Sequence, residues 1–294
     1  MKIGIYGQFY HENSETYIQL ILDALQHRDV EIVIEENFLD IINLHQDITK
    51  NFSGVKTFSE LDDSYNLFFS IGGDGTILKS VTFVRDLGIP IVGINTGRLG
   101  FLATIQKEEI TKSLTQILNG EYILSERSVL TIETQPHNSG IEPLNFALNE
   151  VAVNRKNTTS MIKVETFVND KYLTSYWSDG LIVATPTGST GYSLSCGGPV
   201  IDPNTNSIVI TPIAPHNLNA RPLIVPDSST ISLKVSGREK SYLVSLDSRI
   251  ATLENETVII IKKAPFTINL VQLNDDSFIK TLRKKLLWGE DKRN

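Results

Sequence analysis

The chain has 294 residues, 40% of them apolar and 21% charged, with 19 glycines and 11 prolines, a composition that excludes collagen, a coiled coil and wholesale disorder. Its 27 basic and 34 acidic side chains leave a formal charge of −7, so no global field favours nucleic acid or an anionic membrane. The single cysteine, Cys196, permits neither an internal disulfide nor a thiolate metal cluster, as expected of a reducing, cytoplasmic address.

The opening MKIGIYGQFYHENSE turns polar before a signal core could form, and no apolar run approaches the roughly 20 residues of a membrane span. Lys2 to Tyr6 reads as a strand; Tyr17, Leu20, Ile21, Ala24 and Leu25 then fall on one helical face, and Glu31 to Glu35 is strand-like again. Leu67 to Ile71 and Ile89 to Ile94 are nearly continuous apolar runs, as strands buried on both faces of a parallel sheet require. Between them residues 76–88 have helical length and end at Gly88, a predicted C-cap. Ile110, Leu114, Ile117 and Leu118 form another amphipathic face, closed by Gly120. Residues 1–122 are therefore expected to form a doubly wound α/β domain.

Beyond Gly120 the period changes to two. Residues 129–135, 146–154, 162–169, 181–185, 207–213, 230–237, 242–248 and 258–263 are successive strand candidates, and Asn169-Asp170 divides two of them as a hairpin turn would. An antiparallel, sandwich-like β domain is expected over residues 123–272. Phe278, Leu282, Leu286 and Leu287 then resume helical spacing, with Lys280, Arg283, Lys284 and Lys285 on the other, solvated face. Residues 273–294 read as a helix returning to the first domain and a basic tail.

The strongest local signal is Gly72-Gly73-Asp74-Gly75-Thr76, between a buried strand and a helix. Its glycines allow close backbone approach, and the helix start offers unpaired N–H groups, which suits phosphate. Asp74 at the carboxyl end of the strand lies where open α/β sheets bind ligands. Among phosphates it must take a proton or hold Mg²⁺; otherwise it is a capping residue on a flexible turn. A second cluster, Ser178 to Pro199 (SDGLIVATPTGSTGYSLSCGGP), packs glycines and hydroxyls behind a strand and reads as a nucleotide cradle or as an ordinary Gly/Ser-rich loop. Asn149-Glu150 sits in an apolar strand context, where both could hold ribose hydroxyls although alternation turns one of them outward. No Walker loop, no G-x-G-x-x-G at the first helix and no protein-kinase set is present; His11, His27, His45, His137 and His216 show no zinc spacing.

Together and in this order, the three clusters resemble the bacterial ATP-dependent NAD kinases of the NAD kinase/diacylglycerol kinase-like superfamily. The likeness includes residues 95–101 (NTGRLGF) and 215–223 (PHNLNARPL) and spans residues 68–250. GGDGT alone is shared with phosphofructokinases and diacylglycerol kinases; TPTGSTGYSLS is far more specific. The resemblance implies transfer of the ATP γ-phosphoryl group to the 2′-hydroxyl of the adenosine ribose of NAD, with Mg²⁺ arriving on ATP. It implies Asp74 as proton acceptor, Gly75 on the same ribose, and Gly72, Gly73 and Thr76 along the donor phosphates with Lys79 one turn on. Asn149 and Glu150 would hold ribose and adenine, and Thr190, Gly191, Tyr192, Ser193, Leu194 and Ser195 would wrap the adenosine. Asp179 and Ala214 would reach the nicotinamide end near a subunit interface of a homodimer or homotetramer; Phe101, Ser160, Trp177 and Arg249 complete the cofactor-binding set. Trp177 stands where many relatives have Arg, Gly191 where Ala is usual and Arg249 where Gln is frequent. The alternatives are a lipid kinase of the diacylglycerol type and a non-catalytic NAD(H)-binding sensor.

Overall fold

The computed structural model describes residues 1–8, 14–26, 28–44, 54–157 and 160–288; His11, His27, His45 and the basic tail beyond Trp288 lie outside them. The chain forms two compact units, Met1–Glu126 with Ile268–Asn294, and Arg127–Thr267. The division falls just beyond Gly120, after which the hydrophobic period changes. The strands Tyr122–Gln135 and Val258–Leu273 each run through it unbroken.

In the first unit the parallel strands lie in the order Lys56–Phe58, Glu31–Glu35, Lys2–Gly7, Leu67–Ile71, Ile91–Asn95. Leu270 pairs with Ile91 at the far side, and the short strand Ile105–Gln106 pairs with Ile94 and Asn95. Every residue of Leu67–Ile71 and of Ile91–Asn95 is buried, which is why these segments are apolar without alternation. The connections diverge between Lys2–Gly7 and Leu67–Ile71, the one leading to the strand on its outer side and the other to Ile91–Asn95. That makes the carboxyl ends at Gly7 and Ile71 the topological switch point.

The helix after Leu67–Ile71 spans Asp74–Val84 and buries Ile77, Val81 and Val84 one turn apart. It ends at Arg85, not at Gly88 as predicted; Gly88 adopts φ +71° in the turn beyond it. Pro90 restricts Ile89 to extended backbone, so the chain must leave the helix before it. A helix at Glu36–Leu44 has no counterpart in the sequence reading, because it abuts the preceding strand without a break. Glu35 ends that strand and caps the helix, accepting the Phe38 N–H at 2.8 Å.

The second unit packs two antiparallel sheets. One contains Lys171–Ser178, Ile162–Val168, Ile231–Ser236 and the start of Val258–Leu273. The other has six strands, in the order Leu223–Pro226, Ser207–Ile213, Gly180–Ala184, Glu150–Asn154, Ser241–Leu246, Arg249–Glu254. Val164, Leu233 and Ile259 of the first meet Val151, Val153, Leu181, Val183, Ile208 and Tyr242 of the second in one core. The intervening residues Ala152, Ile182, Ala184 and Val209 point to the opposite face, where Ile201 and Cys196 cover them. Burial on both faces explains the unbroken run LIVA: the chain that follows this strand turns back through Cys196 and Ile201 to cover the sheet's outer face. The Asn169-Asp170 turn has positive φ at both residues, 50° and 61°, the twist that matches a two-residue hairpin. Among the described residues no helix is long and apolar enough to cross a membrane.

Candidate active site

At the switch point the chain turns from strand to helix through Gly72 and Gly73. Gly72 adopts φ +151°, and a Cβ there would press on the Thr76 side chain, with Thr76 Cβ 3.0 Å away; only glycine fits. A Cβ at Gly73 or Gly75 would meet nothing within 4 Å, so their backbone is open to close approach. Thr76 is fully buried and its hydroxyl donates to Gln8 Oε1 at 3.1 Å, so it ties the ends of the two central strands together. Lys79 is exposed on the next turn.

Asp74 is the first residue of the helix, and it is not perched on a flexible bend. Its Oδ1 accepts the N–H groups of Leu102 and Ala103, each at 3.0 Å, and its Oδ2 accepts that of Phe101 at 2.8 Å. A carboxylate oxygen has two lone pairs. Among the described residues Oδ1 is therefore filled and Oδ2 keeps one acceptor position. The loop that supplies these amides is shaped by Asn95: its Oδ1 accepts the Gly97 N–H at 2.8 Å and its Nδ2 donates to the Arg98 carbonyl at 2.7 Å. Gly100 lies against the carboxylate so closely that a Cβ would stand 2.5 Å from Asp74 Cγ. Sequence reasoning quoted Asn95 and Gly100 only within a motif; neither their roles nor the amide fan could be read from spacing.

In the second unit Asn149 and Glu150 converge instead of facing opposite ways. Asn149 precedes the strand, which begins at Glu150, so alternation does not govern the pair. A Cβ at Gly191 would lie 3.1 Å from Glu150 Oε2 and 3.3 Å from Asn149 Nδ2, which places both side chains at one spot. Gly188 is pressed on the Asn149 backbone, its absent Cβ 2.5 Å from the Asn149 carbonyl carbon. Asp247, at φ +54°, holds the pair from beneath. It accepts the N–H groups of Asn149 at 2.8 Å, Leu148 at 3.0 Å and Glu150 at 3.2 Å, and its side chain is 2% exposed.

Burial, with the Asp247 charge second, pushes the Glu150 carboxyl up to about 8 against the opposing N–H of Tyr192. Burial likewise raises Asp247, opposed by its three amides and by Arg249. The two carboxyl groups cannot comfortably both ionise, and Glu150 takes the proton. Asn149 Oδ1, Glu150 Oε2 and Thr187 Oγ1 are buried without a partner among the described residues, polar atoms that a polyhydroxyl ligand would satisfy.

The remaining expected residues distribute as follows. Ser193 is buried and bonded to Thr211 Oγ1 at 2.8 Å, and the Thr190 hydroxyl donates to the Thr187 carbonyl at 3.1 Å, so both brace the 187–195 segment. Tyr192 is 40% exposed, and Leu194 and Ser195 flank it on the same short helix. Asp179 pairs with Arg155 at 3.0 Å, and its N–H donates to the Ile213 carbonyl beside Ala214. Ser160 and Trp177 line a separate cavity of about 600 Å³ with Lys163 and Arg238. Arg249 donates to the Leu144 and Phe146 carbonyls and lies 5.1 Å over the Phe146 ring. No group of three or more metal-ligating side chains occurs among the described residues.

Residues 3–122 match the ATP-NAD kinase N-terminal domain and residues 148–273 the ATP-NAD kinase C-terminal domain. The chain is 65% identical to the NAD kinase of Christiangramia forsetii and 55% identical to that of Flavobacterium johnsoniae, over all of this chain and all of each relative. Its fold resembles yeast NADH kinase complexed with NADH, with a TM-score of 0.85 at 22% identity, covering 99% of this chain and 89% of that one. It also resembles an NAD kinase from Archaeoglobus fulgidus in complex with ATP, with a TM-score of 0.76 at 24% identity over 98% and 99% of the two chains.

Proposed function

The chain belongs to the ATP-NAD kinase family, and from that premise we propose how its residues carry the reaction. It is an ATP-dependent kinase that phosphorylates NAD. In our reading the ribose 2′-oxygen forms the new bond to the γ-phosphorus, the bond from that phosphorus to the β–γ bridging oxygen breaks, ADP departs, and the hydroxyl proton passes to Asp74 Oδ2. The observation that supports this role is the amide fan around Asp74, which fixes the carboxylate and leaves one acceptor position on Oδ2. If the transition state is loose, the proton leaves late and positioning dominates, which suits a carboxylate held on three sides.

The open backbone at Gly73 and Gly75 and the helix start behind it suit the donor phosphates. Among the described residues the side chains supply no carboxylate cage, which fits a Mg²⁺ held by the triphosphate and water; such an ion would neutralise charge on the transferring group. Asn149, Glu150 and Thr187, with their unpartnered oxygens, would bind the adenosine. The exposed edge strand Lys171–Ser178, with Tyr172 60% and Trp177 47% exposed, supports a homodimer or homotetramer, and the lone cysteine supports a cytoplasmic address.

The test is NADP formation from NAD and MgATP by the purified protein and by Asp74→Asn. The variant should lose at least about a hundredfold in kcat while still binding NAD. Preserved kcat with a raised KM for NAD would reduce Asp74 to a binding residue. NAD binding with ATP left intact by the wild-type protein would favour the sensor, and phosphorylation of a diacylglycerol the lipid kinase.

A further inference from the structure

The C-terminal helix Phe278–Leu286 carries the basic residues that the sequence assigns to a solvated face. The structure separates one of them from the rest. Phe278, Leu282 and Lys285 recur at i, i+4 and i+7 and so share a face; Leu282 is buried, the Phe278 ring lies 6.5 Å from that of Phe101, and the Lys285 ammonium donates to the Leu99 carbonyl. Leu99 and Phe101 flank Gly100, which touches the Asp74 carboxylate, and the Phe101 N–H is the donor to the oxygen that keeps a free acceptor position. The helix therefore grips the loop on both sides of the point where it meets Asp74.

The other supports lie elsewhere. Asn95 holds the base of the loop at Gly97 and Arg98, and Asp74 itself holds residues 101–103. No other hydrogen bond to Leu99 occurs among the described residues. A charge-assisted bond to a carbonyl is among the stronger ones available at a surface, and Lys285 makes it across 186 residues of chain, where no local turn could substitute.

We propose that Lys285, with Phe278 beside it, is a positioning residue for Asp74: by pinning Leu99 and Phe101 it keeps the amide fan and Gly100 in register with the carboxylate. This rests on Asp74 being the proton acceptor. Lys285 is exposed, so its replacement should leave the protein folded, and a loosened carboxylate should cost rate and not binding.

The experiment is a double-mutant cycle read by NADP formation, with melting temperatures measured in parallel. Lys285→Met should lower kcat about tenfold with KM for ATP and NAD changed less than about threefold, and Lys285→Arg, which can still donate to the Leu99 carbonyl, should recover most of the loss. In an Asp74→Asn background, Lys285→Met should cost less than about twofold, because there is no carboxylate left to position. Phe278→Leu, which keeps an apolar contact, should give a smaller fall of the same kind. An unchanged kcat in Lys285→Met, a loss confined to KM, or the same tenfold loss in the Asp74→Asn background would overturn the proposal while leaving the role of Asp74 intact. A wild-type rate in Asp74→Asn alone would instead remove the reading on which it rests.

Discussion

Gly100→Ala tests the catalytic geometry without altering any polar group. A Cβ on Gly100 would stand 2.5 Å from Asp74 Cγ and 2.7 Å from Oδ2. Unbonded carbon atoms rest at about 3.5 Å or more, so the carboxylate must retreat by about 1 Å. Gly100 does not occupy a positive φ, and the backbone itself accepts alanine. A retreat of that size carries the carboxylate out of reach of amides now at 2.8 to 3.0 Å, and hydrogen bonds to charged groups contribute about 1.5–3 kcal/mol each. Some of that loss is regained from water, because Asp74 is only half-buried, so the stability cost should be about 2 kcal/mol. The rate should suffer more: an error of about 1 Å at a reacting group can cost a hundredfold. Steady-state NADP formation should show kcat down about a hundredfold, with KM for both substrates within about threefold of the wild type. A folded variant with kcat within threefold, or one whose entire loss lies in KM for NAD, would refute the claim that this glycine exists to admit the carboxylate.

Two further outcomes follow from the second unit. Gly188→Ala should destabilise by about 3 kcal/mol or more, seen as a lowered melting temperature, because its Cβ would lie 2.5 Å from the Asn149 carbonyl carbon and 2.7 Å from its Cα, atoms that cannot swing away. Glu150→Gln should change how stability depends on pH. Folded Glu150 keeps its proton up to about pH 8 whereas an ordinary glutamate releases it near 4.5, so between those values the unfolded chain binds fewer protons and folding weakens as pH rises. From pH 5 to pH 8 the effect amounts to as much as about 4 kcal/mol; Gln removes it, and denaturation curves for the two proteins should diverge with Gln the more stable at pH 8. Parallel curves across that range would contradict the buried, protonated carboxyl.

The architecture was legible wherever local pattern decides structure. Leu67–Ile71 reads as a fully buried strand because both faces of a parallel sheet are covered, and the GGDGT turn reads as functional because three glycines seldom separate such a strand from a helix without reason. What the sequence concealed depends on distant residues. The Asp74 fan joins positions 27 to 29 apart, the Asp247 fan positions 97 to 99 apart, and the Lys285 bond positions 186 apart; none leaves a periodic trace. Asn149 and Glu150 show the opposite failure. Alternation is a sound rule inside a strand, but the strand begins one residue too late for it to apply.

The two units hold an aspartate in the same way, and the comparison separates an accessible carboxylate from an enclosed one. Asp247 accepts two amides on Oδ1 and one on Oδ2, the same count as Asp74. The fan by itself therefore says nothing about chemistry; it fixes a carboxylate and the three residues that face it. Exposure decides the rest. The Asp247 side chain is 2% exposed and its second oxygen lies 3.8 Å from the Arg249 guanidinium, so its spare acceptor position is closed to any ligand, and its charge adds to the burial that raises the Glu150 carboxyl. Asp74 is half-buried at a helix start, beside Gly73 and Gly75, where a Cβ would meet nothing within 4 Å, so its carboxylate is not closed off as that of Asp247 is. A carboxylate that must meet one hydroxyl has to be rigid on every side but one, and of the two aspartates only Asp74 meets that condition.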